Sequence, residues 1–288
     1  MDYERDEGQC LACCAVPQSD LVIEADVDEE PDAQCLPVRD FTGTVTQLEP
    51  LTPTIKGVTI ALGHPEGMRF QAGQYINLHV PGEESCRAFS LANAPGSREV
   101  ELNVRLVPGG KATSWIHGEL KVGDEVRLAG PYGRFFVRKS AKVPLLLLAG
   151  GSGLSSPRAM LLDLLREGCE LPITLVHGAR TEDELYYRDE LTQLASKHPG
   201  FTYLPVLSHE PTGSSWEGRR GFVHEVAKSH FQNDFRGHKA YLCGPPPMID
   251  ACITTLMQGR LFERDIYTEK FFSAADAQQV RSPLFKRV

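Results

Sequence analysis

The spacing of apolar residues changes character once along this chain. From about residue 40 to 138 the runs 41–48, 55–62, 75–80, 100–106 and 125–128 alternate apolar and polar positions, with Gly and Pro between them. A period of two bounded by turn residues predicts strands with one buried face. With the stretch 87–93, about six such strands fit an antiparallel barrel or sandwich. One amphipathic helix interrupts them at 115–120, and 130–135 reads as a turn. From residue 143 the pattern differs: 143–149 is a continuous apolar run, as expected of a strand buried on both faces of a parallel sheet. Strands at 173–180, 201–207, 240–243 and 265–272 then alternate with helices at 158–166, 183–196, 222–231 and 249–257. This alternation predicts a doubly wound α/β sheet, whose ligands sit at the carboxyl ends of its strands.

Composition narrows the class. A chain of 288 residues with 41% apolar and 24% charged residues has enough for two cores. A formal net charge of −8 argues against nucleic acid and leaves room for a protein partner found by electrostatic steering. The apolar run at 143–149 is too short to span a bilayer, and the acidic start 1–8 is no signal peptide, so a cytoplasmic protein is expected. Eight cysteines without a secretion signal read as reduced thiols or metal ligands.

Three stretches carry candidate chemistry. Arg87, Ala88, Phe89 and Ser90 combine a cation, a small residue, a ring and a hydroxyl on one strand, which suits a flavin nucleotide or a plain surface strand. Gly110, Lys111, Ala112, Thr113 and Ser114 open the first helix, where free N–H groups and the helix dipole make an anion site, or a simple cap. After the strand 143–149 come Gly150, Gly151, Ser152, Gly153, Leu154, Ser155, Ser156 and Pro157. Strand, glycine loop and helix form a nucleotide-binding context, with Ser156 in place of the third glycine of the usual fingerprint. Either Ser155 or Ser156 is expected to cap the helix, with Pro157 at its first position. A second glycine-bearing turn, Cys243, Gly244, Pro245, ends the strand 240–243.

Taken in order, 87–90, 150–157 and 243–248 resemble the ferredoxin–NADP⁺ reductase superfamily across residues 40–275. The stretches 11–15, 87–93, 240–262 and 284–287 are similar in particular to reductase components of bacterial phenol hydroxylases, which are di-iron monooxygenases. The resemblance implies a flavin-binding barrel at 38–140, binding FAD, and an NAD(P)H-binding α/β domain at 141–288. It implies that Arg87 holds the FAD pyrophosphate, Phe89 (commonly Tyr) packs along the nucleotide, Ser90 bonds near flavin N5, and 110–114 complete the phosphate site. Gly151, Ser152, Gly153, Leu154 and Ser155 would receive the NADH pyrophosphate, with Cys243, Gly244 and Pro245 beside the nicotinamide. Glu269 and either Phe271 or Phe272 would wall the flavin pocket, and Ser90, Cys243 and Glu269 would be the catalytic set. Hydride would pass from NADH to FAD, positioned without a general acid or base. Electrons would then leave singly for the di-iron hydroxylase partner. The acids 182–184 favour NADH by repelling a 2′-phosphate, although they also suit a solvated helix start and Arg180 opposes them.

The segment 1–37 reads as the end of a domain and an acidic linker. Gly8, Leu11, Cys13, Pro17, Ser19, Asp20 and Ile23 are similar to the last cluster-binding stretch of plant-type [2Fe–2S] ferredoxins, where Cys13 matches the fourth ligand. With no C-x₄-C-x₂-C loop in this chain, the [2Fe–2S] cluster is expected not to form, and transfer to the oxygenase to fail without it. A free-standing flavin reductase shares every feature after residue 40, and a non-catalytic docking module is the reading from another class.

Overall fold

The computed structural model describes residues 19, 20, 22, 30–82, 86–211 and 213–271. Cys13 and Phe272 lie outside the described residues. Both sheets lie within one compact unit that begins at Asp32.

The first sheet holds β1 (Arg39–Pro50), β2 (Ile55–His64), β3 (Tyr75–Leu78), β4 (Arg87–Ser90), β5 (Glu99–Arg105) and β6 (Glu125–Tyr132), with α1 (Lys111–Gly118) following β5. Its order is β4-β3-β6-β1-β2-β5, antiparallel throughout. A bridge between Leu91 and Leu102 joins the two outermost strands, so the sheet closes into a barrel. Inward-facing residues such as Val45, Ile60, Ile76, Leu102 and Leu128 fill it. The expected turn at 130–135 is instead partly strand, because β6 runs through Tyr132. Gly130 permits this: a Cβ there would stand 2.9 Å from Cγ2 of Ile76 on the neighbouring strand.

The second sheet holds β7 (Leu145–Gly150), β8 (Ile173–Ala179), β9 (Phe201–Leu207), β10 (Arg219–Arg220), β11 (Lys239–Gly244) and β12 (Ile266–Lys270). The helices are α2 (Ser155–Arg166), α3 (Arg188–Lys197), α4 (Val223–His230) and α5 (Pro246–Gln258). The order β10-β9-β8-β7-β11-β12 is all parallel, as the continuous apolar runs require. Along β7, Leu145 and Leu147 pack with α2 and α3, while Leu146 and Leu148 pack with α4 and α5. Each such leucine contributes about 2 kcal/mol by leaving water. Barrel residues Ile55, Ala72, Phe135 and Val137 share a core with the α2 and α3 face, so the two sheets are welded there.

Local expectations fail at two helix starts. Residues 183–196 are a short 3₁₀ turn (Glu182–Glu184) and then α3, separated by Tyr187 at φ +56°. Burial of Leu185 and Tyr186 and the reach of Tyr187 to the barrel override the local helical pattern. Helix α2 begins at Ser155 rather than 158, and neither serine caps it, since the hydroxyls are used elsewhere. Pro157 is therefore its third residue, still in the first turn, where a missing N–H costs nothing.

Among the described residues no helix is long and apolar enough to cross a membrane. Cys35, Cys86, Cys169, Cys243 and Cys252 are free thiols.

Candidate active site

The barrel contributes one end of β4 and β5. The antiparallel bridge Leu91–Leu102 sets these strands side by side in opposite directions. The start of β4, with Arg87, therefore lies at the same end of the barrel as the last residues of β5, which lead through 106–110 into α1. Arg87, Ala88, Lys111 and Ser114 are exposed there. The N–H groups of Lys111, Ala112 and Thr113 open the helix, and Ser114 N–H is the first to bond back, to Gly110 O at 2.9 Å. Ala112 is buried. The Thr113 hydroxyl faces inward, accepting from Val107 N–H at 3.1 Å and reaching Gly110 O at 3.2 Å. Gly110 leaves room for that brace, since a Cβ would sit 2.9 Å from Thr113 Oγ1. Phe89 is half-buried against the barrel core.

The α/β sheet contributes the ends of three adjacent strands. Ala149 on β7 is in register with Cys243 on β11, and Cys243 with Glu269 on β12. The two glycine turns touch: a Cβ on Gly153 would lie 2.3 Å from the Cys243 carbonyl oxygen, and one on Gly150 would lie 2.5 Å from Met248 Sδ. Gly151 adopts φ +56° and Gly244 φ +151°, conformations that only glycine holds cheaply. Ser155 donates to Ser152 O at 2.9 Å, and Leu154 is sunk in the core, so this turn presents its backbone and the half-buried Ser152 side chain. Pro245 precedes α5, and Phe271 N–H donates to Gly244 O at 3.1 Å.

The two halves meet at the Glu269 carboxylate. Its Oε2 accepts from Ser90 Oγ of the barrel at 3.1 Å, from Ser156 Oγ of α2 at 2.8 Å, and from Cys243 Sγ at 3.5 Å. Burial pushes the Glu269 carboxyl above its ordinary range, and the bonds from Ser156, Cys243 and Ser90 oppose that rise. Burial, then the neighbouring Glu269 charge, pushes the Cys243 thiol well up, so it stays a thiol and packs rather than attacks.

A row of polar residues on β5 that faces away from the barrel core completes the seam. Glu101 pairs with Arg158 of α2 at 3.0 Å, and Asn103 Oδ1 accepts from Tyr187 OH at 3.2 Å. Arg105 Nη1 lies 3.7 Å from where a Cβ on Gly151 would stand. Arg158, 8% exposed, also holds Glu190 through two nitrogens at 2.8 and 2.9 Å and the Ala92 carbonyl at 2.8 Å. These contacts fix the barrel against the sheet. Below the Gly151 turn, Tyr186 OH donates to Gly151 O at 3.0 Å and packs edge-on against buried His177. Burial lowers His177 to about 3, so its ring is neutral.

The residues present fit two nucleotides. One turn offers helix N–H groups with Lys111, at the same end of the barrel as Arg87, the other an open glycine backbone beside Arg105, and both are chemistries for pyrophosphate. Sequence reasoning missed Ser156, Arg105, Asn103 and Arg158 as site residues. The signal for the β5 residues was the alternation 101, 103, 105, whose polar face turns out to be the domain seam.

The family described as oxidoreductase FAD-binding domain matches residues 42–137, and the oxidoreductase NAD-binding domain matches 147–253. The reductase component of phenol 2-monooxygenase from Pseudomonas sp. (strain CF600) is 59% identical along the whole chain, which spans 82% of that relative. A phenol hydroxylase protein of Acinetobacter pittii (strain PHEA-2) is 53% identical over the same shares. The solved structure of the Amycolatopsis reductase GcoB superposes with a TM-score of 0.83 at 33% identity, covering 93% of this chain and 80% of that one. The chain therefore belongs to the NAD(P)H-dependent FAD oxidoreductases that serve as reductase components of oxygenases, in the branch containing the phenol 2-monooxygenase reductase.

Proposed function

We propose that this chain is the reductase of a phenol-type monooxygenase, drawing hydride from NADH and supplying single electrons to a di-iron hydroxylase. When bound, FAD accepts the hydride of NADH and divides the pair into single electrons. The chain's own residues hold and orient. Arg87, Lys111 and the α1 N–H groups would hold the FAD pyrophosphate; the Gly151–Leu154 turn and Arg105 would hold that of NADH. Ser90 and Cys243, from opposite halves, both bond Glu269 and would help to position the two reacting rings. The observation that carries the reading is this junction of three elements on one carboxylate oxygen.

Preference for NADH is supported by the acidic 3₁₀ turn Glu182–Glu184 just beyond β8, where a free ribose hydroxyl is welcome and a phosphate is not. Among the described residues no group of three or more His, Cys, Asp or Glu side chains is arranged for a metal. The [2Fe–2S] relay thus rests on the ferredoxin-like sequence around Cys13.

The test is a reconstitution of the FAD-loaded chain with a phenol hydroxylase and NADH, following phenol consumption and, separately, reduction of a one-electron acceptor dye. NADH should support dye reduction with kcat/KM at least about tenfold above NADPH, a difference of about 1.4 kcal/mol. With Cys13 alone matching a cluster ligand, dye reduction should proceed while phenol oxidation stays absent or very slow; rapid phenol oxidation by the cluster-free chain, or no dye reduction by NADH, would overturn the reading.

A further inference from the structure

Three donors converge on Oε2 of Glu269, and no hydrogen bond reaches Oε1 among the described residues. Oε1 is also absent from the buried atoms that lack a partner, so it is not fully covered. The shortest of the three bonds comes from Ser156, whose side chain is fully buried and which stands second in α2, directly after the Gly151–Leu154 turn. Serine here departs from the glycine expected for close helix–strand packing, and its hydroxyl reaches across to β12.

We propose that Ser156 is a positioning residue of the hydride-transfer site: it pins Glu269 in its ionised form with one oxygen turned to the ligand, and ties the coenzyme turn to the last strand. This inference rests on the proposed reading of the site. Donor hydrogen bonds favour the ionised carboxylate because a charged oxygen accepts more strongly, and a proton added on Oε1 would weaken all three. Among the described residues no cation acts on Glu269. The groups facing Glu269 are Cys243 from β11, Ser90 from β4 and Ser156 from α2, while Lys270, next on β12, turns to Asp250 at 2.7 Å. Three polar hydrogens thus replace a counter-ion, and a charge held this way is delicate. Its use follows from electrostatics: a nicotinamide gains positive charge as hydride leaves, and a fixed anion at that place favours the change.

The test uses the full chain labelled with ¹³C in the Glu side-chain carboxyls and titrated without FAD, with Glu269→Gln identifying the resonance. Glu269 should be ionised at neutral pH in the native chain. In Ser156→Ala its midpoint should rise by about one pH unit, the worth of one charge-assisted hydrogen bond, and Ser156→Thr should restore it. In the FAD-loaded protein the acid limb of kcat/KM for NADH should move upward with the same variant, since a raised midpoint leaves less carboxylate at a given pH. An unmoved midpoint in folded Ser156→Ala overturns the proposal. Should that variant not fold, the native titration decides: a Glu269 protonated at neutral pH overturns it, an ionised one upholds it. The carboxyl titration needs no flavin, so a chain that failed to bind FAD would sink the reading of the site and leave this result interpretable.

Discussion

The two glycine-bearing turns look alike in sequence and are built on opposite plans. At the start of α1 the side chains do the presenting: Lys111 and Ser114 are exposed, and only Thr113 is folded back to brace the loop. At the start of α2 the side chains are withdrawn except that of Ser152, which is half-buried. Leu154 is core, Ser155 and Ser156 are buried and bonded, and the backbone remains open. The second turn is also supported from beneath by Tyr186 and His177, and it lies against the Cys243 carbonyl. In the proposed reading one turn is an adjustable anion cradle on a barrel rim and the other a rigid ledge at the end of a buried sheet. Rigidity belongs where a reacting ring must be placed, because small displacements cost rate rather than affinity.

Substitution can break this contrast. Gly153→Ala should have the largest effect, because its Cβ would be 2.3 Å from backbone and something must move. Stopped-flow reduction by NADH should slow by about 100-fold, with FAD binding kept. Lys111→Ala, on the adjustable cradle, should instead weaken FAD by only about fivefold, as expected of an exposed cation, and less at high salt. A loss of NADH reduction larger in Lys111→Ala than in Gly153→Ala would reverse the assignment of the two turns.

A separate effect, on stability rather than on cofactors, concerns the pillar under the ledge. His177 has a folded value of about 3, below its unfolded one, so its contribution to stability is complete above the unfolded value and lost as pH falls toward 3. Its Nε2 has no partner. His177→Phe should flatten urea stability between about pH 6.5 and 4.5, sparing roughly 2 kcal/mol of the acid loss. An unchanged pH slope would show that the ring is not held neutral.

Much of this was legible in the chain. Both sheets, their order of appearance and the two turns follow from a period of two giving way to continuous apolar runs. The sequence resemblance also named Ser90, Cys243 and Glu269, which do converge. What escaped was the seam. Glu101, Asn103 and Arg105 look like an ordinary solvated strand face, because alternation reports which residues avoid the barrel core and is silent on what covers the other side. Tyr187 and Ser156 escaped for a related reason. Their conformations are set by partners 84 and 113 residues away, at Asn103 and Glu269, and no local propensity carries that information.

The account stands or falls on whether the cradle and the ledge bring two nucleotides together. The most direct measurement is an anaerobic NADH titration of the purified chain after incubation with FAD, read by the visible flavin absorption. The structure predicts a yellow complex bleached by about one equivalent of NADH, because hydride carries both electrons. A chain that binds no FAD, or a bound flavin that NADH leaves yellow, would contradict it.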